Sequence, residues 1–178
     1  MTRAFISIDI PEKIRKDILK IQKQLPEFYG KLTEPENLHL TLKFLGEVDE
    51  EKIEKVKLNL IEIKYGRFET EVEYLGFFDN IKRGKKYGPI WLHLTNCEGL
   101  QKKIDESLGD IFPSEKRFMS HLTIARVKSL DDKKYFLEGL GKIKIPKIKF
   151  GVDNFMLKKS ILKPEGPVYE TIEEYKLI

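Results

Sequence analysis

The sequence predicts an α+β fold of two similar halves, in which two mostly antiparallel sheets line a central groove and helices pack outside them. Three observations carry this expectation. Apolar residues recur at helical spacing in some stretches and alternate in others, and the two patterns succeed one another along the whole chain. A short string, His-x-Thr inside an apolar run, stands at His39-Leu40-Thr41 in the first half and at His121-Leu122-Thr123 in the second. No glycine-rich phosphate loop or low-complexity linker interrupts the 178 residues, so 1–178 is expected to be one domain made of two similar lobes.

In chain order, alternation over about 3–8 predicts a strand ended by Asp9 and Pro11, and Ile14, Ile18 and Ile21 predict a helix over about 11–25. The first His string lies in a strand over about 37–45. A helix over about 49–63 turns Ile53, Val56 and Leu60 inward, and two extended segments, about 67–77 and 88–95, flank a turn-rich stretch from Asp79 to Gly88. A helix over about 97–109, the second His strand over about 120–128 and a short helix near 131–138 come next. The chain closes with strands over about 142–150, 152–161 and 168–177. In Lys142-Ile143-Lys144-Ile145-Pro146-Lys147-Ile148-Lys149, strict alternation around Pro146 reads as an edge strand guarded against aggregation.

Residues i and i+2 of a strand share a face, so each His string aims one imidazole and one hydroxyl the same way while its apolar residues pack behind. Two such faces across a groove would supply a proton acceptor, a proton donor and two hydroxyls for one polar group between them. That set fits in-line displacement at phosphorus, where the nucleophile loses a proton and the leaving oxygen gains one. Lys43 shares a face with His39 and Thr41 if the strand stays regular, which makes it a candidate phosphate ligand. Arg126 has the opposite parity from His121 and Thr123 and reaches the groove only if a bulge or the strand end redirects it. His93-Leu94-Thr95 repeats the pattern. Glu98, three residues after Thr95, makes Thr95 the expected cap of the next helix, and His93 reads as a structural or surface histidine.

These strings resemble the two-histidine (2H) phosphoesterase superfamily, and within it the archaeal and bacterial 2′-5′ RNA ligase, or RNA 2′,3′-cyclic phosphodiesterase, group. Arg3-Ala4-Phe5-Ile6-Ser7-Ile8-Asp9 is similar to that family's opening strand, and Asn37-Leu38-His39-Leu40-Thr41-Leu42-Lys43-Phe44-Leu45-Gly46 to its first signature. His121-Leu122-Thr123-Ile124-Ala125-Arg126-Val127 is similar to the second, and Leu157-Lys158-Lys159-Ser160 with Pro164, Gly166 and Tyr169 to the closing hairpin. Ser120 stands where the family often has Pro. The resemblance implies a metal-independent hydrolase that opens a 2′,3′-cyclic phosphate at an RNA end, tRNA halves being one candidate, to a 2′-phosphate. It implies His39 as proton donor, His121 as proton acceptor and Arg126 beside them; Thr41 and Thr123 would hydrogen-bond the phosphate. In reverse, the same site would join a cyclic end to a 5′-hydroxyl without ATP. The residues alone leave two other readings open: a phosphodiesterase for a small cyclic phosphate such as ADP-ribose cyclic phosphate, and a non-catalytic module that holds RNA or nucleotide.

Composition narrows the classes. Against 29 acidic residues stand 33 Lys and Arg, a net charge of +4, too small for a histone-like binder but compatible with a local basic patch. Lys82-Arg83-Gly84-Lys85-Lys86 is the densest such patch, either plain solvated surface or an electrostatic guide for an RNA backbone. The single Cys97 excludes an intramolecular disulfide and any multi-Cys metal site, and no His-Glu-x-x-His string occurs. With no basic start leading into a long apolar run and no apolar stretch of membrane-spanning length, a cytoplasmic monomer without metal or cofactor is expected.

Overall fold

The computed structural model describes residues 1–79 and 87–178, so the basic cluster from Lys82 to Lys86 lies outside the described residues. Its strands are β1 (Thr2–Asp9), β2 (Tyr29–Leu32), β3 (His39–Val48), β4 (Phe68–Phe77), β5 (Pro89–Leu94), β6 (His121–Ser129), β7 (Lys149–Val152), β8 (Asn154–Lys163) and β9 (Gly166–Lys176). The helices are α1 (Glu12–Gln22), α2 (Glu50–Ile61), α3 (Glu98–Ser107) and α4 (Lys133–Gly141), and Pro35–Asn37 form a 3₁₀ turn.

Two four-stranded antiparallel halves, β7-β4-β5-β6 and β3-β1-β8-β9, meet where Leu40 of β3 pairs with Leu122 of β6. Their registers correspond. On β3, β1 sets Ser7 against Thr41, Ile8 against Leu40 and Asp9 against His39; on β6, β5 sets Trp91 against Thr123, Leu92 against Leu122 and His93 against His121. Both ladders then skip one residue, Leu42 in β3 and Ile124 in β6, and resume with Ile6 against Lys43 and Ile90 against Ala125. An extra residue opposite an uninterrupted partner is a β-bulge.

The helices cross between the halves. α1 comes after β1 yet packs behind β6, and α3 comes after β5 yet packs behind β3. Ile14, Ile18 and Ile21 of α1 and Leu100 and Ile104 of α3 are buried with Leu40, Leu42, Leu122 and Ile124 in one core. Each fully buried Leu or Ile contributes about 1.5–3 kcal/mol, so this interlock holds both His strands against the same layer of side chains.

Three local readings change. β2 has no counterpart in the sequence reading because all four of its residues are exposed and show no apolar alternation. It pairs with β6 where β3 has diverged, and only glycine fits at position 30: a Cβ there would stand 2.1 Å from the Arg126 carbonyl oxygen. The alternating Lys-Ile stretch begins its strand only at Lys149, at the edge of the sheet beside β4. Pro146 has no N–H to give a ladder, although Ile143, Ile145 and Ile148 still pack on the core. Thr95 does not cap α3, which starts after Cys97. The Thr95 hydroxyl accepts the backbone N–H of Glu71 at 3.0 Å, tying the end of β5 to β4.

Candidate active site

His39 and His121 open their strands and line one cavity of about 640 Å³, together with Thr41, Thr123 and Arg126. The two imidazoles are held alike. Nδ1 of His39 lies 2.7 Å from the Asn37 carbonyl oxygen, and Nδ1 of His121 lies 2.8 Å from that of Met119, each two residues upstream. A carbonyl oxygen only accepts, so each Nδ1 carries the proton. Nε2 is then the second nitrogen of each ring, able to accept a proton when neutral and to give one when protonated. The Asn37 side chain fixes its own turn by donating to the Pro167 carbonyl at 3.1 Å, which fastens the His39 anchor to the β8–β9 hairpin.

The bulges determine which residue beyond each Thr reaches the cavity. In β3, Leu42 and Lys43 both turn to the core, and Phe44, 73% exposed, turns to the cavity. In β6, Ile124 and Ala125 turn inward and Arg126 faces the cavity. The expectation for Lys43 is therefore corrected: it is 5% exposed, paired with Asp105 of α3, and donates to the Pro113 carbonyl at 2.9 Å. The extra residue at Leu42 inverts the parity on which that expectation rested. In β6 the bulged Ile124 carbonyl is satisfied twice, by the buried Gln22 amide at 2.8 Å and by the Thr33 backbone N–H at 2.9 Å. Among the described residues Arg126 has no carboxylate partner, which leaves its guanidinium available to an anion.

The surroundings of the two His differ. Phe5 and Tyr169 close over His39, each ring centroid 5.0 Å from the imidazole. Beside them Lys158 donates to both carboxylate oxygens of Asp9, at 2.9 and 2.7 Å. Burial pushes the His39 pKa below the usual histidine value; the Asn37 carbonyl opposes this, Lys158 adds to it, Asp9 opposes it and Arg126 adds to it. On the other side Phe78 lies edge-on to His121 at 5.6 Å. His93, read from sequence as structural or surface, is partly buried on the same sheet face as His121, stacked on Tyr74 and with Nδ1 2.9 Å from the Glu73 carboxylate.

Phe5, Phe44, Tyr169 and the Asp9–Lys158 pair were not singled out for the site from sequence. The alternation of β1 was a usable signal for Phe5 and Asp9, but Phe44 and Lys158 lie just past irregularities in register that no periodicity reveals. Among the described residues no group of three or more His, Cys, Asp or Glu is arranged to hold a metal ion, and no helix is long and apolar enough to cross a membrane.

The chain is similar to known proteins along nearly its whole length. A protein of Methanocaldococcus jannaschii named RNA 2′,3′-cyclic phosphodiesterase is 40% identical over 177 residues, covering 97% of this chain and 99% of its own. One of the same name from Thermotoga maritima is 36% identical over 180 residues, covering 97% and 94%. Escherichia coli LigT, solved in complex with 3′-AMP, superposes with a TM-score of 0.79 at 25% identity, covering 99% of this chain and 98% of its own. A Thermus thermophilus structure matches in fold, with a TM-score of 0.79 at 24% identity over 98% of this chain and 97% of its own. The model of the LigT-like phosphoesterases matches residues 8–91 and 95–169, which include both His strands, and the chain belongs to that family.

Proposed function

We propose that this protein is an RNA 2′,3′-cyclic phosphodiesterase that hydrolyses the cyclic phosphate at an RNA end to a 2′-phosphate. The observation that carries the reading is the convergence of two His-Thr pairs, both with Nδ1 held by a backbone carbonyl, on one cavity that also holds Arg126. The relatives that match the chain along nearly its whole length are named for this activity.

The cyclic phosphate sits between the pairs. Thr41, Thr123 and Arg126 donate to its non-bridging oxygens, where they stabilise negative charge as it redistributes in the transition state. Nε2 of His121 takes a proton from water, the water oxygen bonds to phosphorus, the bond to O3′ breaks, and Nε2 of His39 gives its proton to O3′. The cavity extends past His39 over Phe5, Phe44, Tyr169 and Arg3, which gives the terminal nucleoside and the chain behind it a route on the leaving-group side. The test is incubation of the protein with RNA bearing a defined 2′,3′-cyclic end, in EDTA, and then identification of the phosphate position. A 2′-phosphate is expected. A 3′-phosphate, or preference for a cyclic mononucleotide over an oligonucleotide, would replace this reading with another.

A further inference from the structure

Among the described residues Arg3, Lys31 and Arg126 bring positive charge to the cavity wall, and two of them are accounted for. Arg126 faces the cyclic phosphate, and Lys31 is held by Glu34 at 2.5 Å and by the Glu165 carbonyl oxygen at 2.6 Å. Arg3 remains, on the face of β1 that also carries Phe5. Ser7 stands opposite Thr41, and Arg3 lies four residues further along the strand, about 13 Å at the rise of extended chain, which puts it beyond Phe5 and away from the His-Thr pairs. β1 sets Phe5 against Lys158 and Ala4 against Lys159 of β8, so Arg3 follows beside Ser160, and β9 sets Tyr169 against Ser160. A guanidinium, a hydroxyl and a phenol from three adjacent strands thus form one row on the cavity wall. Among the described residues none of these three polar ends has a hydrogen-bond or ion-pair partner, and Glu47, opposite Arg3 on β3, is not within ion-pair distance of it. Burial raises the Tyr169 pKa; Arg126 and Arg3 act against this and Glu34 adds to it, so the phenol stays a donor at neutral pH and feels both guanidiniums.

Opening a cyclic phosphate uses neither Arg3 nor Ser160. Donors gathered without a protein acceptor fit an anion, and a guanidinium beside hydroxyls fits a phosphate. On the leaving-group side, the next phosphate of an RNA substrate is the one on O5′ of its terminal nucleoside. We propose that Arg3, Ser160 and Tyr169 form a second phosphate site, which binds that O5′ phosphate while the nucleoside between the two phosphates covers Phe5 and Phe44. The site rests on the phosphodiesterase reading and narrows its substrate. A cyclic end that carries a phosphate on O5′, as every RNA chain does, is selected over a free nucleoside 2′,3′-cyclic phosphate, and Arg3 sets that preference.

Three substrates test this: a nucleoside 2′,3′-cyclic phosphate, the same molecule with a 5′-phosphate, and a dinucleotide ending in the cyclic phosphate. The second and third should both exceed the first in kcat/KM by about tenfold or more, the scale of a charge-assisted hydrogen bond. An advantage confined to the dinucleotide would place the recognition in the extra nucleoside and overturn the proposal. A dinucleotide whose internal linkage is a neutral methylphosphonate should lose the advantage on the unmodified protein. Arg3→Met should lower the ratio of dinucleotide to mononucleoside kcat/KM about tenfold, Arg3→Lys should recover part of it, and the methylphosphonate should cost the Met variant less than twofold. A ratio that Arg3→Met leaves within twofold, or a full methylphosphonate cost that survives it, would also overturn the proposal. Calorimetric titration with a dinucleotide ending in a 2′-phosphate repeats the Arg3 comparison without turnover and should show the same loss. If the unmodified protein opens no cyclic end while that Arg3-dependent loss persists, the phosphodiesterase reading falls and the second phosphate site stands.

Discussion

Phe44 and Arg126 occupy the same place in the two halves: each is the first cavity-facing residue after the bulge beyond a motif Thr, paired with Phe5 in one half and Pro89 in the other. Matched backbones therefore deliver an aromatic ring to one end of the site and a guanidinium to the other. Arg126→Met should lower kcat/KM by about a hundredfold, the scale of removing one donor aimed at developing charge. Phe44→Ala should act mainly on KM for RNA, by about tenfold. Steady-state kinetics on one RNA substrate checks both, and equal effects on kcat would contradict the division.

His39→Ala and His121→Ala should each reduce turnover by about two orders of magnitude or more, because each removes a whole proton transfer. The double variant should be little worse than either single one, since groups that act as a unit are strongly non-additive. Losses that multiply would show that the two rings act independently.

The pH dependence has a sign. Burial holds the free His39 pKa below the ordinary value, so the proton-donor form needed for kcat/KM is lost as pH rises through that lowered value. A bound phosphate anion favours the imidazolium, so the alkaline limb of kcat should lie at higher pH than that of kcat/KM. Lys158→Met removes a cation that disfavours the imidazolium and frees Asp9, which favours it, and should move the kcat/KM limb upward. Coincident limbs would refute His39 as the donor. The same depression affects stability. As pH falls below about 6.5 the unfolded chain takes up the proton before the folded one, so stability declines with acidification there, and His39→Gln should flatten that slope in urea melts.

Lys43 acts on the fold. Its buried pair with Asp105 joins β3 to α3, and the same carboxylate accepts the Glu115 backbone N–H at 2.7 Å, holding the segment that leads to His121. Lys43→Ala would strand a buried carboxylate at a cost of about 3–5 kcal/mol, while Lys43→Met with Asp105→Leu should recover most of it. Although burial raises the Asp105 pKa, Lys43, the Glu115 N–H and Gln101 outweigh it, and the carboxyl sits below its usual range. Its contribution is present above an ordinary Asp value of about 3.9 and is lost as pH falls through the lowered one. Denaturation at several pH values measures both effects.

Activity should survive EDTA, because the proposed steps use only imidazole, hydroxyl and guanidinium groups. Loss of turnover on chelation, restored by Mg²⁺ or Mn²⁺, would require a metal-assisted mechanism instead.

Much of this protein is set by the sequence alone. The periods of two and of three to four residues locate β1, β3, α1, α2, α3 and β6, because burial of one face forces polar and apolar residues to alternate with the geometry of the element. The paired His-x-Thr strings are legible for the same reason: i and i+2 must share a face. Parity, however, holds only until the backbone inserts a residue. Whether Leu42 and Ile124 are bulged depends on what β1 and β5 offer opposite them, on the Gln22 amide that satisfies Ile124 and on the Asp105 carboxylate that receives Lys43. Those partners are far away in sequence. Tertiary structure alone therefore turned Lys43 inward and Arg126 outward, closed Phe5 and Tyr169 over His39, and laid the Tyr74–His93 stack beside His121. Each is a consequence of cross-strand register, which a local period cannot encode.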